Sequence, residues 1–299
     1  MLYRIGVTED AASGRAARPG GTDRISSNPP STIGDMSQAD GAATFRASTD
    51  LYGRFVGRYA PSLSAALIKV VGIEPGSRLL DVGCGPGGLA RALADVVGAE
   101  NVTAVDPSEP FAETCRARLP GADVRVAVAE ELPFEDGAFD GAFAQLVVNF
   151  MSDAERGVGE MRRVVRPGGA VAACTWDYAD KMTMLRAFWD AAHEVAPDAA
   201  AKADEITMRY SNLGELTDLW RRVGLDDVDG GELWVSADYD DFDDLWAPFP
   251  SGIGPAGAFC AALEPERQEG LRVAYARRLG DPAGAFSLSA RAWYAVGRA

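Results

Sequence analysis

The chain has 299 residues and carries 44 Asp and Glu against 29 Lys and Arg, a formal net charge of −15. A protein that gains affinity by neutralising phosphates would have to build its basic face against that field, so nucleic-acid binding is not expected. A membrane-spanning helix is excluded too: it needs about 18 uncharged apolar residues, and the nearest candidate, Leu63 to Ile73, is shorter and contains Lys69.

Residues 1–35 are rich in Pro, Gly, Ser and Thr, balance four basic residues against four acidic ones, and show no apolar period. They read as a disordered tail, with Met36 as an alternative start to a domain over 36–299. The opening MLYRIGVTED has no apolar core of a signal peptide, so the cytoplasm is the expected compartment. Asn28-Pro29-Pro30-Ser31 is similar to a base-methylating signature, but it lacks the closing aromatic that would stack a flipped base and is taken as chance. From Thr49 to Ile73, Leu51, Phe55, Tyr59, Leu63, Leu67 and Val70 recur at helical spacing around Pro61, which predicts two short helices.

A regular alternation follows. Strands are predicted at Arg78 to Val82, Val102 to Val105, Val124 to Val128, Phe139 to Val147 and, after an Arg-Pro-Gly-Gly turn, Ala170 to Trp176. Helices are predicted at Leu89 to Val97, Pro110 to Leu119 and, from an Asp cap, Asp153 to Val165. Such alternation means a Rossmann-like α/β fold, a parallel sheet with helices on both faces whose ligands sit at the carboxyl edge of the strands.

Beyond Trp176 helices are expected at Met182 to Val195, Leu213 to Val223 and Pro265 to Leu279, and the apolar segment Phe286 to Val296 should pair with a strand at Glu232 to Ala237. Val223 to Glu266 holds eleven Asp and Glu and no Lys or Arg, either a solvated acidic surface or a lid that repels anions.

The chemistry is concentrated in Asp81-Val82-Gly83-Cys84-Gly85-Pro86-Gly87-Gly88, between the first strand and its helix. Glycines there allow a sharp turn and close approach of a ligand to free N–H groups. Gly83, Gly85 and Gly88 satisfy the dinucleotide fingerprint G-x-G-x-x-G, a weak signal by itself. Asp81 at the strand end would repel a pyrophosphate but suits the ammonium of S-adenosylmethionine. Asp106, 25 residues later at the end of the second strand, suits the ribose hydroxyls of either cofactor, or serves as a helix cap.

Four segments, Leu80 to Gly87, Val102 to Pro107, Ala129 to Phe134 with Asp136 to Asp140, and Glu160 to Gly169, together resemble the class I S-adenosylmethionine-dependent methyltransferases, in particular the ubiquinone/menaquinone-biosynthesis-like group acting on small molecules. The resemblance covers about residues 45–176. It implies a seven-stranded, mostly parallel sheet with the last strand antiparallel, plus a helical cap at about 42–72, 178–212 and 239–283. It also implies S-adenosylmethionine as cofactor, with Asp81, Gly83, Gly85 and Gly87 around its methionyl part, Asp106 and Pro107 at the ribose, Ala129 and Glu130 at the adenine, and Gln145 and Leu146 near the methyl. Val128 stands where many relatives have an acid.

The methyl acceptor is expected to be a small molecule presenting oxygen, nitrogen or carbon. Trp176 and Tyr178, after the fifth strand, and Trp189, on the next helix, are candidates for its pocket, packing under the cap being the other reading of Trp176. The single histidine, His193, four residues after Trp189, is either a general base or a structural residue. One histidine and four scattered cysteines provide no metal site. Two other readings remain at this level: a nicotinamide-dependent oxidoreductase, which lacks an evident hydride-transfer site, and a non-catalytic cofactor-binding protein. Oligomeric state is not legible.

Overall fold

Side chains along the first four-residue strand alternate between two apolar layers, and that alternation organises the molecule. A computed structural model describes residues 53–205 and 209–299. The predicted tail, Met36, Asn28 to Ser31, and the helical positions Thr49 and Leu51 lie outside the described residues, as do parts of the predicted cap at 42–52 and 206–208.

Seven strands form one sheet: β1 (Leu79–Val82), β2 (Val102–Asp106), β3 (Asp123–Val126), β4 (Phe139–Gln145), β5 (Val165–Trp176), β6 (Asp226–Tyr239) and β7 (Phe286–Arg298). Their order is β3-β2-β1-β4-β5-β7-β6. The pairings among the first five are parallel, and β7 runs antiparallel to both β5 and β6. The chain therefore has the seven-stranded sheet expected of it, with its order reversing beside β1, where open α/β sheets place their ligand crevice.

On one face Leu79, Phe143 and Cys174 pack with α1 (Ala60–Val71), α2 (Gly88–Val97) and α3 (Glu109–Arg118). On the other, Leu80, Ala142 and Val171 pack with α4 (Ala154–Val164) and α7 (Leu213–Arg222). Period-two burial of this kind marks strands covered on both sides. Leu80 is fully buried, a contribution of about 1.5–3 kcal/mol relative to exposure. Asp153 caps α4 by accepting from the Arg156 amide at 3.0 Å. The buried indole of Trp220 on α7 donates to the Val171 carbonyl at 2.9 Å.

Several elements differ from expectation. Arg166 to Gly169 lies inside β5 rather than in a turn: Phe139 pairs with Val165 but Gly141 already pairs with Ala170, so the extra residues bulge. β6 is longer than predicted because a second bulge, between Asp226 and Asp229 and containing Asp227 at φ 48°, lets its pairing with β7 continue. Three helices were not foreseen: α6 (Pro197–Glu205), α8 (Phe242–Trp246) and α9 (Gly254–Ala261). Most of α9 is buried, and a helix apolar all round has no amphipathic period to detect.

The remaining helices, α5 (Thr183–Val195) and α10 (Pro265–Arg278), close an aromatic cluster in which Phe188 stacks on Phe249 at 4.4 Å and meets Tyr275 edge-on. The acidic segment is a solvated surface, with every acid except Asp244 exposed. Its acids take cations from elsewhere in the chain: Asp244 pairs with Arg54 and Arg58, Asp243 with Arg272, and Glu232 with Arg291. The Asp244 pairs tie the stretch before α1 to α8. Among the described residues no helix is long and apolar enough to cross a membrane.

Candidate active site

β1 runs into a turn that its neighbour holds in place. The Gly83 and Cys84 amides both donate to the Val105 carbonyl of β2, at 2.8 and 2.9 Å, and the Gly87 amide closes the turn on the Cys84 carbonyl at 3.0 Å. Gly83 has φ 73°, and a Cβ there would lie 2.5 Å from a methyl of Val147. The turn passes so close beneath the loop after β4 that only glycine fits.

Asp81 lies just before this turn and is 1% exposed. Neither carboxylate oxygen meets a donor at hydrogen-bond geometry. Burial pushes its pKa up to about 8, against the pull of the nearby Ala90 N–H and with a smaller push from the charge of Asp106. A buried carboxyl without a partner is costly and calls for a functional account.

Asp106, closing β2, is fully engaged. Its two oxygens accept from the amides of Gly85 and Ser108, each at 2.8 Å, so one side chain joins the glycine turn to the loop after β2. Burial raises its pKa against the pull of those two amides. Each oxygen keeps a further lone pair for a ligand hydroxyl. Beside it the Ser108 hydroxyl is buried without a partner.

Gly83, Gly85, Asp106 and Ser108 border a cavity of about 310 Å³ at the carboxyl edge of the strands, within the range of small-ligand sites. Gly83, Gly85, Asp106, Pro107 and Ser108 form one side, and Val128, Ala129 and Glu130 another. Burial pushes the Glu130 carboxyl up, but the Asp153 amide and the Ser152 hydroxyl outweigh it and hold the group below its ordinary range. Both donate to the same oxygen, at 3.1 and 2.8 Å, and so secure the loop after β3 to the start of α4. Val128 is 46% exposed and offers apolar surface where an acid would offer an acceptor.

β4 ends in Gln145 and Leu146. Leu146 has φ 63°, a left-handed conformation that is strained for a branched side chain and that clusters at functional sites. Gln145 accepts a hydrogen bond from Ser64, a fully buried serine of α1, at 3.0 Å.

The far half of the cavity is made by Phe55 and Val56 ahead of α1, Trp176 and Tyr178 after β5, Leu185 and Trp189 on α5, and Pro255 and Ala256 on α9. Trp176 also meets Tyr59 edge-on at 5.5 Å, so it both packs and lines. Between Trp176 and Tyr178, buried Asp177 accepts two hydrogen bonds from Arg291, at 3.0 and 2.7 Å. That guanidinium lies over the rings of Trp234 and Trp293. The pair fixes the backbone that presents both aromatic residues.

Of the residues singled out in the sequence, Gly83, Gly85, Asp106, Pro107, Ala129, Glu130, Gln145, Leu146, Trp176, Tyr178 and Trp189 line this cavity. Asp81 and Gly87 do not; they stand behind the glycine turn, where Gly87 packs against Cys115. His193 does not line it either. It is half-buried in the last turn of α5, about 6 Å along the helix axis beyond Trp189. Sequence reasoning missed Ser64, Ser108 and Phe55. Serines carry no pattern of their own, and Phe55 was visible only as one apolar position of a helix. Among the described residues no cluster of His, Cys, Asp or Glu could hold a metal.

A nucleoside joined to an amino acid fits these groups. Asp81 sets an unpartnered carboxyl behind the glycine turn, Asp106 and Ser108 offer acceptors and a hydroxyl, and Val128 offers an apolar surface. Residues 80–173 match the family described as methyltransferase domain. The malonyl-[acyl-carrier protein] O-methyltransferase of Pseudescherichia vulneris is 37% identical over 134 residues, covering 45% of this chain and 52% of that protein. The ubiquinone/menaquinone biosynthesis C-methyltransferase of Bordetella avium is 32% identical over 171 residues, covering 52% and 66%. The chain spans about half the length of such curated relatives. In fold it is similar to phosphoethanolamine N-methyltransferase 2 of Haemonchus contortus, solved with S-adenosyl-L-methionine, with a TM-score of 0.55 at 17% identity over 89% of this chain and 60% of that one.

Proposed function

We propose that this chain, which carries a methyltransferase domain at residues 80–173 and has the class I methyltransferase fold, moves the sulfonium methyl of S-adenosylmethionine to a small organic acceptor. The observation that carries this reading is the buried, unpartnered carboxyl of Asp81 directly behind the glycine turn. A pyrophosphate at that turn would face Asp81 and Asp106 together; the ammonium of an amino acid would relieve both.

When bound, the cofactor supplies an electrophilic methyl whose departure leaves a neutral thioether. Gly83 and Gly85 would border the methionyl part, with the buried carboxyl of Asp81 and Gly87 behind the turn, so that Asp81 would act on the ammonium through its charge. Asp106 accepts from the ribose hydroxyls, with Pro107 beside it. Ala129 and Val128 receive the adenine, and its amino group is met by the backbone or by the Glu130 oxygen that Ser152 and Asp153 leave free. Gln145 and Leu146 lie toward the methyl. Trp176, Tyr178 and Trp189 enclose the acceptor, with α5, α9 and the stretch around Phe55 as a cap. Such a site works by positioning and by excluding water.

A cytoplasmic enzyme without nucleic-acid partners agrees with the charge of −15 and with four free, buried thiols. The test is to incubate the purified chain with S-adenosylmethionine and pools of small phenols, amines and acids. S-adenosylhomocysteine forming in step with a methylated product supports the reading. Saturable cofactor binding with no product from any pool would reduce it to a binding protein without turnover.

A further inference from the structure

The two halves of the cavity differ in charge. Asp106 and Glu130 border the cofactor half, whereas Phe55, Val56, Trp176, Leu185, Trp189 and Pro255 surround the other, and among the described residues no charged side chain lines it. Its polar side chains are the Gln145 amide, the Tyr178 hydroxyl and the indole N–H groups of Trp176 and Trp189. An ammonium, carboxylate or phosphate entering that chamber would be desolvated without a counter-charge.

Gln145 is fixed in one sense. The Ser64 hydroxyl donates to its Oε1 at 3.0 Å from a fully buried position on α1. With Oε1 turned to α1, Nε2, which makes no hydrogen bond to any described residue, is the donor offered to a ligand. A fixed N–H donor at the end of β4 selects an atom that accepts a hydrogen bond. It stabilises an oxygen as its proton leaves, and it has nothing to offer an ammonium.

Building on the methyl-transfer reading above, we propose that the acceptor enters uncharged, is largely apolar or aromatic, and presents a phenol- or enol-type hydroxyl whose oxygen is held by Gln145 Nε2. A lone pair of that oxygen forms the new bond to the methyl carbon as the carbon–sulfur bond breaks with its electron pair passing to sulfur. The hydroxyl proton goes to solvent water, since among the described residues no carboxylate or imidazole lines that half. Gln145 orients and polarises the oxygen, and Ser64 is a positioning residue that acts through Gln145.

The experiment uses three probes of one shape: 4-phenylphenol, 4-phenylbenzoate and 4-phenylbenzylammonium. Each is titrated into the chain saturated with S-adenosylhomocysteine, as wild type, Gln145→Leu, Gln145→Glu and Ser64→Ala, after a separate titration of S-adenosylhomocysteine into each protein. Wild type should bind the phenol and neither ion. Gln145→Leu should weaken the phenol by about tenfold, the scale of one lost hydrogen bond, and Ser64→Ala by less. The near-isosteric Gln145→Glu should lose the phenol and gain the ammonium, an exchange that a merely structural side chain would not produce. Equal binding of an ion and the phenol by wild type, no binding of the phenol, or unchanged phenol affinity in Gln145→Leu would overturn the proposal. Failure of wild type to bind S-adenosylhomocysteine would instead overturn the reading beneath it.

Discussion

Replacing Asp81 by Asn should change proton release more than it changes the fold. With a pKa near 8 in the folded protein against an ordinary value of 3.8, the carboxyl is about nine-tenths protonated at pH 7. Holding that proton so far above the ordinary range makes the position unfavourable to folding by about 4 kcal/mol at pH 7. The contribution has a definite sign. A carboxyl whose pKa is raised on folding is harmless below 3.8 and costs progressively more stability as pH rises toward 8. The melting temperature of Asp81→Asn should therefore gain on that of wild type between pH 4 and 8 and then level off. If an ammonium binds beside Asp81, the carboxyl ionises, and wild type should release close to one proton per S-adenosylhomocysteine at pH 7. Titration calorimetry in buffers of different ionisation enthalpy reads that number directly. Equal proton release by wild type and Asp81→Asn at pH 7 would refute the reasoning, whatever the affinities.

Asp106→Ala should weaken S-adenosylhomocysteine by about 1.5–3 kcal/mol, the scale of hydrogen bonds to a charged group, with the circular dichroism unchanged; an unaltered Kd would reduce Asp106 to the tie between Gly85 and Ser108. Gly83→Ala should destabilise by more than about 2 kcal/mol, because its Cβ meets Val147 at 2.5 Å and its φ is 73°. Adding Val147→Ala should restore part of that loss in a denaturant titration, and no restoration would place the strain in the backbone alone. His193→Ala should keep the wild-type pH–rate profile, since the imidazole lies outside the cavity lining; loss of an acidic limb in the variant would make it a base after all.

The alternating half of the molecule was readable because apolar runs in β1, β2, β4 and β5 are separated by helices with one apolar stripe, and the glycine turn with Asp81 and Asp106 marks the carboxyl edge. The rest depended on contacts distant in sequence. Nothing in the pattern around Ser64 relates it to Gln145, 81 positions later. The bulge at Arg166 to Gly169 is set by the partner strand, and a Pro-Gly-Gly sequence by itself reads as a turn. The uniformly apolar α9 offered no period. The acidic segment was legible as a solvated surface, but its ion pairs were not, because the counter-charges Arg54, Arg58, Arg272 and Arg291 lie outside it. His193 shares a helical face with Trp189, and spacing alone could not show that only Trp189 lines the cavity.

Parallel titration of S-adenosylhomocysteine and NAD into the wild-type chain distinguishes the cofactor classes that a glycine turn alone leaves open. The buried carboxyl of Asp81 and the tied carboxylate of Asp106 predict saturable, one-to-one binding of S-adenosylhomocysteine and no saturable heat from NAD. Saturable binding of NAD with none of S-adenosylhomocysteine would contradict the assignment of the cavity and everything built upon it.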